Sequence, residues 1–294
     1  MLSLSSLSQL AEQYASELAH SVQRFQIKGI THGASPQLMG VVNLSADSWY
    51  RESVCTSDEQ ALRRARKLWA EGAALIDIGA ESTLPDAQRS PADQQLKQLL
   101  PLLTLLSDEV PLSIETYLAE VAEQCLTQGA AIINMTGNQD AESIYHSVAK
   151  AKAGVIICYV QAANVREASV IDLSEDPIGA QEAYFATEIE KARSKGVEKI
   201  WIDPGLGFYY KNLKDSAERV RYQTKVFLES FRLRKLGWPV CHALPHAFDY
   251  FGEEVRSAES FFAHAAYLGQ TSLFRTHEVP KVKAVLDTIA ALEP

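Results

Sequence analysis

Several short apolar runs in this 294-residue chain end on, or carry, a side chain able to bind a polar ligand. LMGVVN stops at Asn43, ALIDIGAES carries Asp77 and Glu81, and PLSIE stops at Glu115. AIINM carries Asn134, IWIDPG carries Asp203, PVCHALPH carries His242 and His246, and SLFRTH delivers Arg275 and His277. A carboxylate can accept two adjacent N–H groups at once, an amide both donates and accepts, and Arg beside His can hold a phosphate. The sharpest local pattern is IDPGLGF, Ile202 to Phe208, where Pro204 stops a strand and Gly205 and Gly207 let backbone pass close to a ligand. An isolated D-P-G is usually a plain turn, and Arg275 alone would read as a surface partner of Glu278. Their recurrence at run after run is what favours a shared site.

Helical patterns separate the runs, so the chain divides into eight strand–helix units. The strands are expected at Leu38–Asn43, Ala74–Ile78, Leu112–Glu115, Ala131–Met135, Val155–Tyr159, Ile200–Asp203, Pro239–Ala243 and Ser272–Arg275. Continuously apolar strands fit a parallel sheet covered on both faces. Eight ordered units favour a closed (β/α)8 TIM barrel over an open doubly wound sheet, with the strand C-termini gathered at one mouth. The helix near Ser57 opens on Ser-Asp-Glu, a capping composition; another is expected to run unbroken from Ala217 to Leu236. Residues 1–37 form an N-terminal extension, read as a helix that packs on the barrel or on a partner subunit. Residues 38–294 form the barrel.

With 28 basic against 37 acidic residues the formal charge is −9, which disfavours nucleic acid or an anionic membrane as partner. An anionic substrate must then be held by local donors. No run has the apolar length of a membrane span, and the first residues lack the basic region of a signal peptide. The four cysteines show no CxxC spacing and read as reduced, buried thiols. The expected location is cytoplasmic.

DIGAEST (Asp77 to Thr83), IDPGLGF, GVVNLSADSW (Gly40 to Trp49), SIETY (Ser113 to Tyr117), IIN (Ile132 to Asn134) and FRTHEV (Phe274 to Val279) together resemble the dihydropteroate synthase family in order and spacing. The resemblance covers roughly Leu38 to the C-terminus. It implies a pterin-binding barrel of folate biosynthesis that joins p-aminobenzoate to 6-hydroxymethyl-dihydropterin diphosphate with the help of Mg2+, often as a homodimer. It implies that Asn43 contacts the diphosphate or its metal, and that Glu115, Asn134 and Asp203 hold the pterin. It further implies that Arg275 and His277 hold the diphosphate. Glu81 or Asp77 is expected to organise the mouth, with the following loop to Ala87 as a mobile lid, and His246 stands where the family has a pterin-contacting Lys.

Departures cluster on one side of that reaction. The family's Ser-Arg-Lys is Leu244-Pro245-His246, its Thr-Pro-Asp-Ser-Phe is Ser45-Ala46-Asp47-Ser48-Trp49, and its GFGK is Gly207-Phe208-Tyr209-Tyr210. The usual Arg and Gly of the second loop are Leu84 and Asp86. Glu115 replaces an Asp, and the added methylene should push its carboxylate into the pterin slot or swing it aside. Three readings follow: a divergent synthase with an altered acceptor, a pterin-binding paralogue without synthase activity, and a pterin-dependent methyltransferase. A metal site built from His242, His246 and Tyr209 ranks below packing.

Overall fold

The structure, a computed structural model, describes residues 2–292 except 49, 51, 52, 85, 168, 169, 172, 174, 175, 209, 246, 248, 249, 251, 253 and 254; of residues 255 and 256 it describes the backbone alone. Eight parallel strands form one sheet: β3 (Gln37–Asn43), β4 (Leu75–Gly79), β5 (Leu112–Thr116), β6 (Ile132–Met135), β7 (Gly154–Cys158), β8 (Ile200–Asp203), β9 (Cys241–Ala243) and β10 (Leu273–Thr276). Neighbours follow chain order from β3 to β8, and β10 pairs with both β3 and β9. The seam between β8 and β9 is closed by a single bridge, Ile202 to Val240, with Ile202 N–H donating to Pro239 O at 3.1 Å. A helix follows each strand, so the expected (β/α)8 barrel is the fold. Its strands are buried on both faces, which explains why they read as unbroken apolar runs.

The local signals act as the sequence suggests. Helix Asp58–Ala70 starts at Ser57, whose hydroxyl accepts the Gln60 N–H, with Asp58 and Glu59 in the first turn where the positive end of the helix dipole favours them. It ends ahead of Gly72, whose φ of +107° a side chain would resist.

One expected helix is broken. The segment read as Ala217–Leu236 is an α-helix over Ser216–Glu229 followed by a 3₁₀ segment, Ser230–Leu236. At the junction the Ser230 hydroxyl lies within donating distance of both Phe227 O (2.9 Å) and Gly269 O (3.1 Å), a side-chain partner that competes with the α-helical ladder for the Phe227 carbonyl. Gly269 presses on the same carbonyl: a Cβ there would lie 1.7 Å from Phe227 O. Gly269→Ala is therefore expected to lower stability by about 1–3 kcal/mol through forced backbone movement, measurable as a reduced urea midpoint. An unchanged midpoint would mean that this approach is not tight.

The N-terminal extension holds more than a helix. After α1 (Leu4–Gln13) and α2 (Ala15–Leu18), the chain forms a hairpin of β1 (Phe25–Ile27) and β2 (Ile30–His32). Its two-residue turn, Lys28-Gly29, has positive φ at both positions (45° and 81°), the geometry that matches strand twist. Ile27 enters the N-terminal mouth of the barrel: a Cβ on Gly154 would lie 2.9 Å from both Ile27 and Trp201. Phe25 and His32 stand edge-on to Trp201 at 4.6 and 5.0 Å. Helix α2 lies against the 3₁₀ segment, and Tyr14, just before that helix, meets Phe231, with the Arg232 guanidinium 4.2 Å above the Tyr14 ring.

Candidate active site

At the C-terminal mouth a cavity of about 130 Å³ is lined by residues from nearly every strand end. Asn43, Glu81, Glu115, Asn134, Asp203, Arg275 and His277 all face it. Strand register brings them there, since Asn43 pairs with Gly79, Gly79 with Glu115, and Glu115 with Asn134. His246 and Tyr209 lie outside the described residues. His242 does not reach the mouth: it is fully buried against Phe227 (4.7 Å), and burial depresses its pKa to about 3. Among the described residues no group of three His, Cys, Asp or Glu is arranged to hold a metal; of the three residues weighed for a histidine metal site, His246 and Tyr209 lie outside them and His242 is turned away from the mouth.

The floor of the cavity is one connected polar network around Asp77, which is wholly buried. Its carboxylate accepts from Arg275 Nε at 2.7 Å, Asn134 Nδ2 at 3.0 Å and the Ser113 hydroxyl at 2.6 Å. Arg275 spans from Asp77 to Glu115, and its fork donates to a carboxylate on either side. Glu115 thus swings aside, toward Arg275. Burial raises the Glu115 pKa, and the Arg275 charge pulls it back down. Asn134 is engaged at both ends, with its Oδ1 accepting from the Cys158 thiol at 3.4 Å.

Asp203 is 4% exposed and lies at the end of β8, beside Cys158 in the register. The Gly205 N–H donates to its Oδ1 at 2.8 Å. Gly205 has φ +78°, and a Cβ there would strike Tyr159 O at 2.6 Å, so the turn that presents Asp203 requires glycine. Burial raises the Asp203 pKa to about 6, partly offset by the Gly205 N–H and by Arg275.

The remaining predicted residues sit higher. Asn43 Nδ2 donates to the Ser53 hydroxyl at 2.6 Å, which fixes the amide with Oδ1 as its remaining polar atom. Glu81 accepts from the Tyr117 hydroxyl (2.5 Å) and the Ser90 N–H (3.0 Å), an anchor for its own loop. His277 stacks on Tyr50 at 4.4 Å, and the Tyr50 hydroxyl donates to Glu278 at 2.5 Å. The loop read as a lid is tied by Arg166, whose two terminal nitrogens donate to Ser82 O and Ala87 O.

Sequence reasoning missed Arg166, Ser113 and Glu259. Glu259 is fully buried on the helix Val255–Leu268 and accepts from the Thr276 hydroxyl, so it steadies the strand end that carries Arg275 and His277. Burial raises its pKa from 4.5 to about 8. A carboxyl with a raised folded-state pKa favours the fold fully below its unfolded value and loses that contribution as pH rises through its folded value. Glu259→Gln should flatten the fall in melting temperature between pH 4.5 and about 8. The parent and variant keeping parallel curves across that window would contradict it.

The pterin binding enzyme family matches residues 39–243, more than half of the chain. The chain belongs to that family. It is 30% identical over 213 residues to the dihydropteroate synthase of Synechocystis sp., covering 71% of each chain. It is 29% identical over 264 residues to the dihydropteroate synthase type-2 of Escherichia coli, covering 87% of this chain and 96% of that one. The crystal structure of Xanthomonas albilineans dihydropteroate synthase with 4-aminobenzoic acid superposes with a TM-score of 0.76 at 25% identity, covering 92% of this chain and 98% of the other. The Thermus thermophilus enzyme in complex with 6HMPPP gives 0.72 at 26% identity, covering 92% of this chain and 100% of the other. Within the family this protein is dihydropteroate synthase-like, as its motifs lead one to expect.

Proposed function

We propose that this protein transfers the pterin-methyl group of 6-hydroxymethyl-dihydropterin diphosphate to an arylamine or a related nitrogen acceptor. The acceptor nitrogen forms a bond to the exocyclic CH2 carbon while the carbon–oxygen bond to the diphosphate breaks. The diphosphate leaves with the bonding pair, and the amine gives up a proton. The observation that carries the reading is the convergence of Asp203, Asn134 and Arg275 on one cavity.

Each residue has a task its chemistry suits. A pterin presents a ring N–H beside a 2-amino group, and the Asp203 carboxylate can accept both. Asn134, fixed by Asp77 and Cys158, meets the ring edge. His246 takes the sequence position of the family's pterin-contacting Lys. Arg275 and His277 are donors for the charge that grows on the departing diphosphate, where preorganised groups have their largest effect. Asn43 is the residue that would hold Mg2+: it offers one fixed amide oxygen, which suits an ion whose other ligands are phosphate oxygens and water. When bound, such an ion neutralises charge on the diphosphate.

The pairing of Arg275 with two carboxylates keeps a second reading in play, a pterin-binding paralogue without turnover. The deciding experiment is a thermal-shift panel of pterins, pterin diphosphates and folates, with and without Mg2+, followed by product assay. A bound ligand must raise apparent stability by mass action. Stabilisation by the pterin diphosphate, with product formed on adding an arylamine, is the expected result. Stabilisation without product would favour the paralogue, methyl transfer to a corrinoid protein would favour the methyltransferase, and no response to any pterin would end all three.

A further inference from the structure

Part of the cavity wall is not used by the groups above. The helix Ser216–Glu229 contributes Arg219, Tyr222 and Gln223 to the lining. Arg219 and Gln223 are four residues apart and share one helix face. Gln223 is 4% exposed, and its Nε2 donates to Leu206 O at 3.2 Å, which settles which end of the amide is oxygen. That Oε1 is buried and has no hydrogen-bond partner among the described residues. The Arg219 Nε is likewise buried without a partner, and its guanidinium has one long contact, 3.5 Å to the Ser216 hydroxyl. No carboxylate among the described residues pairs with it. The surroundings are flat and apolar: Phe208, Leu213, Tyr222, Leu244 and Pro245 line the same cavity.

Leaving a buried acceptor and a buried cationic donor unmade costs free energy, which a ligand supplying both partners recovers. A guanidinium edge matches a carboxylate, an amide oxygen matches an O–H or N–H, and the apolar neighbours match an aromatic ring. The protein's overall charge of −9 makes a placed cation the natural way to draw an anion here. We infer that Arg219 and Gln223 are the residues that select the acceptor: the guanidinium takes the carboxylate of an arylamine acid, and the amide oxygen takes a hydroxyl or amino group next to that carboxylate. This rests on the proposed transfer reaction and names two specificity-determining residues of its second half.

The test titrates acceptors into the full chain saturated with 6-hydroxymethylpterin and pyrophosphate, with Mg2+ present. The probes are 4-aminobenzoate, 4-amino-2-hydroxybenzoate and the uncharged 4-aminobenzamide. The parent protein should bind the hydroxylated acid best and the amide worst. Arg219→Gln should weaken both acids by about 10- to 100-fold, the range of a hydrogen bond to a charged group, while the amide and the pterin bind as before. Arg219→Lys should recover part of the loss, which separates lost charge from a damaged fold. Gln223→Met should erase the preference for the hydroxylated acid and leave the Arg219-dependent step in place. Unchanged acid affinity in Arg219→Gln, or a parent that binds the pterin but none of the acids, would overturn the inference. A parent that fails to bind the pterin would instead overturn the reading beneath it.

Discussion

Arg275→Met is expected to cost about 3–5 kcal/mol of stability, the usual penalty for removing one member of a buried ion pair, and to abolish pyrophosphate binding. Among the described residues Arg275 is the single cation between Asp77 and Glu115, whose side chains are 0% and 9% exposed while its own is 15% exposed. Without it, two buried carboxylates confront each other across the floor of the cavity. Glu115 would respond by taking up a proton more readily, since Arg275 is what restrains its rise in pKa. The double variant Arg275→Met with Glu115→Gln should therefore recover part of the stability and none of the pyrophosphate affinity. Denaturant unfolding with calorimetric titration reads both quantities. A stable Arg275→Met protein that still binds pyrophosphate would show that the network has no such role.

Asp203→Asn should weaken pterin binding by about 100-fold, because the amide presents a donor where the ring presents two of its own. The fold should survive, since the Gly205 N–H can still meet an amide oxygen at the same place. Protonation mimics the substitution. With a pKa near 6 the parent should lose pterin affinity as pH falls through that value, and affinity should level off above it. The same raised pKa makes Asp203 a stability contribution present at low pH and lost as pH rises through about 6, so ligand affinity and apo stability should move in opposite directions. The Asn variant should show neither trend from this residue. A variant with parental affinity and parental pH profile would remove Asp203 from the binding role.

The mouth of the barrel was legible because strand ends announce themselves: an apolar run that stops at Asn43 or Asp203 places that residue at the C-terminal edge whatever the helices do. Asp77 was harder to rank, since it sits inside the run LIDIG and its importance comes from the three donors that register brings to it. The same holds for Cys158. A reduced buried thiol describes it correctly, yet its neighbours Asn134 and Asp203 lie on other strands and are set by pairing. The N-terminal hairpin carried a signal, the alternation of Phe25, Ile27, Ile30 and His32 around Lys28-Gly29, which the stronger helical spacing of Leu7 to Leu18 overshadowed. Arg219 and Gln223 could not be singled out, because an amphipathic helix places many polar residues near a mouth and only the folded arrangement decides which of their atoms lack partners. His242 misled because its strand suggests the mouth, while strand alternation turns it outward onto Phe227.

The most direct measurement is a crystal structure of this protein with a 6-hydroxymethyl-dihydropterin diphosphate analogue bound. The bicyclic ring should lie in the cavity with its 2-amino group and ring N–H both on Asp203, Asn134 at its edge, and the diphosphate toward Arg275, His277 and Asn43. A ring bound elsewhere, or bound here with Asp203 turned away into solvent, would contradict the account.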